Sequence, residues 1–158
     1  MATLIKWPAK YRSFYKTVNT HSKIITTGTL VAIDPASGSG SFPGYAIFKK
    51  GKLVSSGTIK INSKLPLNLR LHALYDQLAM LEVNPDVLVI EEIRGRMAHA
   101  YLSFAVGMTI TAVRSHICIE IPINVWKAYV GRDHIKTDEA DAIAMGEDII
   151  GTNVGFTE

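Results

Sequence analysis

The chain has 158 residues, 47 % apolar and 20 % charged, which is enough for one domain with a sizeable core and too apolar for a disordered protein. A single cysteine, Cys118 in the apolar run ICIEI, excludes a disulfide framework and is expected to be a buried small side chain in a reducing compartment. No apolar run nears the roughly 20 residues that span a bilayer, and MATLIKWPAKYRSFYK lacks a hydrophobic signal segment, so a cytoplasmic protein without a membrane is expected.

The net charge of +3 is unevenly spread. Residues 1–28 carry Lys6, Lys10, Arg12, Lys16 and Lys23 with no acid, whereas the remainder, with twelve basic and fourteen acidic residues, is near −2. Trp7, Tyr11, Phe14 and Tyr15 interleave with those cations. The mixture suits a nucleic-acid arm, cations for phosphates and rings on which bases stack; equally, the aromatic residues of a solvated leader pack on the main domain. The expected division is a basic aromatic extension over 1–28 and a folded domain over 29–158.

TLVAI, Thr29 to Ile33, is a short apolar run ending at Asp34 and reads as a buried strand. DPASGSGSFPG is a loop, after which YAIFKKGKLVSSGTIKI holds two strands joined at Lys50-Gly51 in the pattern of an antiparallel hairpin. From Pro66 to Val83, Leu67, Leu71, Leu74, Leu78 and Leu81 recur at helical spacing, and Asn84-Pro85 ends that helix. VLVIEE, Val87 to Glu92, is apolar on both faces, as a central strand covered by helices should be. Arg94 to His116 reads as a long helix rich in small residues, a candidate dimer face or a helix packed on its own sheet. ICIEI is a fifth strand, PINVWKAYV follows, and KTDEADAIAM opens a last helix. The order β-β-β-α-β-α-β-α implies an α/β fold with a mixed five-stranded sheet flanked by helices.

Acids end three of these elements. Asp34 closes the first strand, Glu91 or Glu92 closes the fourth, and Asp138 and Asp141 lie one turn apart on one face of the last helix. Each has an ordinary explanation as turn starter, solvated strand end or helix-start acid favoured by the dipole, with Thr137 as N-cap. Asp141, however, sits a full turn in, between Ala140 and Ala142. If strands one and four are neighbours and the last helix crosses their ends, four carboxylates converge, and such a cluster must take up protons or cations. Oxygen-only ligands suit Mg²⁺ or Mn²⁺, and a pair of such ions is the clamp used in phosphodiester cleavage.

VAIDP, then GYAIF after a loop, then PDVLVIEE and DEADAIAM, in this order and at these separations, resemble the RuvC family of Holliday-junction resolvases, whose fold is ribonuclease H-like. The resemblance covers roughly residues 29–150, and its most specific element is the closing D-x-x-D-A. It implies that Asp34, Glu91, Asp138 and Asp141 are catalytic and hold two Mg²⁺ ions, with Mn²⁺ as an alternative, and it selects Glu91 over Glu92. It also implies a homodimer that cuts four-way or other branched DNA. Departures are a longer loop from Asp34 to Gly44, Ala36 in place of a glycine, and only Arg132 to Thr137 where a further helix is usual. A short member with a basic leader would be at home in a bacteriophage, acting in the host cytoplasm.

Candidate DNA-backbone contacts are Arg94, Arg96, Arg114, Lys127, Arg132 and Lys136, with Lys10, Arg12 and Lys16 of the leader. Two other readings keep the fold. One is a nucleic-acid-binding protein without catalysis. The other is an actin-like or sugar-kinase-like nucleotide binder using GSGSFPG, against which stand the short chain and the missing GK[ST] of a P-loop.

Overall fold

The computed structural model describes residues 12–35, 42–82, 84–92, 100–122 and 137–156. The elements in chain order are α1 (Arg12–Asn19), α2 (Ser22–Thr27), β1 (Thr29–Asp34), β2 (Gly44–Lys49), β3 (Lys52–Thr58), α3 (Leu67–Leu81), β4 (Val87–Glu91), α4 (Ala100–Val113), β5 (Ile117–Ile121) and α5 (Asp138–Phe156). The five strands form one mixed sheet in the order β3-β2-β1-β4-β5. β1 pairs antiparallel with β2 and parallel with β4, β2 pairs antiparallel with β3, and β4 pairs parallel with β5. This is the α/β sheet expected from the sequence, with strands one and four adjacent. The expected loop residues 36–41, the helix start from Arg94 and most of PINVWKAYV lie outside the described residues.

Alternation along the strands sorts the core into two layers. Leu30, Ala32, Ala46, Phe48, Val87, Val89, Ile119 and Ile121 point to one face, where Ala142, Met145 and Ile149 of α5 cover them with Tyr15, Val18 and Ile25 of α1 and α2. Val31, Ile33, Ile47, Leu88 and Ile90 point to the other, under Leu74 and Leu78 of α3 and Ala112 and Val113 of α4. Helices on both faces explain why β1 and β4 are apolar throughout. The described part of the basic leader packs on this layer: Tyr15, Val18 and Ile25 are fully buried, and the Tyr15 hydroxyl donates to both oxygens of the buried Asp148 on α5, at 3.1 and 3.0 Å.

The β2–β3 turn places Lys50 and Gly51 at φ 52° and 77°, both left-handed, as a two-residue hairpin whose twist matches its strands requires. Cys118 corrects an expectation. On the edge strand β5 it alternates with Ile117, Ile119 and Ile121, so it turns away from the α5 layer and is exposed. The desolvation left by its neighbours, with Glu120 nearby, still holds its thiol up at about 11.

Candidate metal centre

The first and fourth strands end side by side. Their register pairs Ile33 with Ile90, so one residue on, Asp34 and Glu91 leave the sheet together. Strand alternation places Glu91 on the side of Asp34: Val87 and Val89 face α5, so Glu91, the last residue of β4, does too. This parity was invisible in a run that is apolar on both faces.

α5 brings the remaining acids. Thr137 caps it, its Oγ1 accepting from the Ala140 amide at 3.1 Å while its carbonyl accepts from the Asp141 amide at 2.9 Å. Asp138 and Asp141 then project from the first turn toward the strand ends. Asp34, Asp138 and Asp141, all half-buried, each offer a carboxylate oxygen, and these atoms lie within 4.8 Å of one another. Glu91 stands outside this trio but near enough for its charge to act on Asp34.

Burial above all, then the charges of Glu91, Asp141 and Asp138 and a hydrogen bond with Asp141, push the Asp34 carboxyl up to about 9. Asp138 is also raised, by burial and by Asp141, and the hydrogen bond it shares with Asp34 works in the opposite sense. Without a cation the cluster therefore keeps a proton on Asp34 at neutral pH. Hard, all-oxygen donors in a group that cannot carry all its charge alone fit a divalent cation such as Mg²⁺ or Mn²⁺.

Two features hold α5 here that the sequence reading did not single out. Gly44 is the antiparallel partner of Asp34, and a Cβ on it would overlap the carbonyl of Asp138; the backbone of α5 rests directly on β2 because residue 44 has no side chain. One residue further, Glu139 accepts a hydrogen bond from the Ser56 hydroxyl of β3 at 2.7 Å. Glu139 therefore ties the helix start to the sheet. Lower on α5, a Cβ on Gly146 would overlap Phe48 of β2, so the helix lies close to β2 at two levels.

The candidate DNA contacts are less gathered. Arg94, Arg96, Lys127, Arg132, Lys136 and Lys10 lie outside the described residues, as does the Arg12 side chain. Lys16 is exposed on α1. Arg114 is exposed just beyond α4 in a left-handed conformation, φ 52°, next to the N-terminal end of β5. That is the end of the sheet opposite the carboxylates.

No family model and no curated protein matches the sequence. Solved structures do match the fold. The Thermus thermophilus RuvC structure in complex with a Holliday junction substrate superposes with a TM-score of 0.62 at 14 % identity, covering 82 % of this chain and 94 % of that one. Another Thermus thermophilus RuvC structure gives 0.58 at 16 %, covering 82 % and 95 %. The mixed sheet, its helical layers and the strand-end acids thus belong to a chain with the fold of RuvC over nearly the whole of that protein's length.

Proposed function

We propose that the protein is a metal-dependent, structure-selective endonuclease that cuts four-way or other branched DNA. The observation that carries this reading is the trio Asp34, Asp138 and Asp141, assembled from distant parts of the chain at the end of a sheet with the RuvC fold. A RuvC neighbour in complex with a Holliday junction substrate supports the choice of DNA form.

Asp34, Glu91, Asp138 and Asp141 would hold the cations, with Asp34 lying between the acid of β4 and those of α5. Divalent cations held there would supply Lewis acidity to the scissile phosphate and lower the pKa of a bound water for phosphodiester hydrolysis, leaving the 5′-phosphate and 3′-hydroxyl ends expected from the resemblance. Before they bind, the cluster holds its acids together by taking up a proton, burial and the neighbouring carboxylates favouring the neutral form at Asp34. Lys16 and Arg114, with the basic groups outside the described residues, are proposed to contact DNA backbone, Arg114 on an arm away from the cut.

Two opposed incisions on a two-fold symmetric junction call for a homodimer. The outward side of α4 suits the contact: Phe104 is 58 % exposed there and Gly107 faces open space. Among the described residues, no helix is long and apolar enough to cross a membrane.

The test is incubation with labelled four-way junction, linear duplex and single strand, with and without Mg²⁺, beside Asp34→Asn and Asp141→Asn. Metal-dependent paired nicks near the junction centre, lost in both variants, are expected. Tight junction binding with no cut in Mg²⁺ or Mn²⁺ would replace this reading with that of a non-catalytic binding protein.

A further inference from the structure

The two acids of α5 sit in its first turn, the part of a helix least secured by its own hydrogen bonds and readiest to fray. Among the described residues, three contacts besides the hydrogen bonds within the acid cluster hold that turn. The Thr137 cap is internal to the segment and sets where the helix begins. The seat on Gly44 sets how close the backbone comes to β2, but the first turn lies ahead of the buried Ala142 and Met145 that key the rest of α5 into the core, and a glycine seat alone lets that turn roll. Rolling by a few tens of degrees would carry Asp138 and Asp141 away from Asp34.

The contact that opposes rolling is the bond from Ser56 to Glu139. Ser56 pairs with Ala46 on β2, and Ala46 faces the α5 layer, so Ser56 presents its hydroxyl to α5 from the far side of β2. Glu139 follows Asp138 by about 100° around the helix. Asp138 thus reaches across to β1 on one flank while Glu139 reaches to β3 on the other, with Gly44 beneath as the pivot. The bond is short, 2.7 Å between oxygens, and charge-assisted. Both residues are half-buried, which limits competition from water.

We infer that Ser56 and Glu139 are positioning residues of the metal centre, whose hydrogen bond fixes the rotation of the first turn of α5 and thereby aims Asp138 and Asp141 at Asp34. Neither needs to touch a cation. The inference rests on the metal-centre reading, and it goes beyond that reading by assigning to a β3 serine and a helix-start glutamate control over metal affinity.

The experiment measures Mn²⁺ binding to the full chain without DNA, by electron paramagnetic resonance titration, together with the Mg²⁺ concentration for half-maximal junction cleavage. Ser56→Ala and Glu139→Ala are expected to weaken Mn²⁺ binding about 10-fold, the lower end of what removing a ligand-orienting partner does, and to raise the Mg²⁺ midpoint similarly while the rate at saturating Mg²⁺ stays near wild type. Ser56→Thr and Glu139→Gln, which keep a donor and an acceptor, should bind Mn²⁺ like the wild type; the glutamine also removes the charge, so a loss there equal to that of Glu139→Ala would mean the charge matters and the bond does not. The double alanine variant should be no worse than either single one. Alanine variants with wild-type Mn²⁺ affinity, or losses that add, would overturn the inference. Wild-type protein that binds Mn²⁺ yet leaves junctions intact would sink the nuclease reading and leave the positioning role standing; wild-type protein that holds no Mn²⁺ would overturn both.

Discussion

Replacing Asp34 with asparagine should stabilise the metal-free protein while destroying its activity. In the fold, burial and three neighbouring acids raise this carboxyl from 3.8 to about 9. A raised folded-state value means that the native state binds the proton more tightly than the unfolded chain does. The associated stability is fully present below about pH 4 and drains away as pH rises through the window up to about 9. At pH 8 the loss spans roughly four pKa units, about 6 kcal/mol at 1.36 kcal/mol per unit, an upper bound to be discounted because the site is only half-buried and water reaches it. Asparagine has no proton to lose and keeps hydrogen-bonding atoms in place. Urea unfolding in EDTA at pH 4.5 and 8 should therefore show little difference at the lower pH and Asp34→Asn more stable by about 1–4 kcal/mol at the higher. Added Mg²⁺ should narrow the gap by stabilising only the wild type. Equal stabilities at both pH values, or an asparagine variant that is weaker at pH 8, would refute the claim that the four acids are held in mutual repulsion.

Further outcomes follow from other contacts. Gly44→Ala drives a methyl group into the Asp138 carbonyl; overpacking of this kind costs about 1–3 kcal/mol, and displacing the acids should lower cleavage about 100-fold, so a variant with wild-type melting and wild-type cleavage would show that the close approach is dispensable. Tyr15→Phe removes the hydroxyl that serves both oxygens of the buried Asp148 and should cost about 1–3 kcal/mol in urea unfolding, with unchanged stability counting against the anchoring of α1. Phe104→Asp places a charge on the outward side of α4; light scattering should read a monomer where the wild type reads a dimer, and junctions should be nicked on one strand without the paired second cut. A variant that stays dimeric would move the interface elsewhere.

The sheet was legible because its strands carry strong signals. TLVAI and VLVIE are apolar on both faces, which sandwiched strands must be, and Lys50-Gly51 marks a hairpin. The trio of aspartates was legible because Asp34 ends an apolar strand and Asp141 sits a full turn into an alanine-rich helix one turn after Asp138, places where a charge needs a reason. The rest depended on contacts between distant segments. Ser56 looks like any strand serine until the pairing places it opposite Ala46 and under Glu139. Gly44 looks like a loop exit until α5 is laid on it. Asp148 carries no local sign of burial, because the tyrosine it meets comes from the basic leader at the other end of the chain. Cys118 misled for the same reason: an apolar pentapeptide suggests two covered faces, and only its place at the sheet edge leaves one uncovered.

The closeness of Asp34 to Asp138, more than a hundred residues apart in sequence, has a bearing on how the activity comes into being. β1 must find β4 across an intervening hairpin and helix, and α5 must then close over the result; such long-range pairings are slow to form. A chain emerging from the ribosome carries β1 and β4 well before it carries α5, so it holds only part of the acid cluster. On the proposed nuclease reading, competence to cut would arrive only with the completed fold, and any opening that lifts the first turn of α5 would switch it off before the sheet itself unravels.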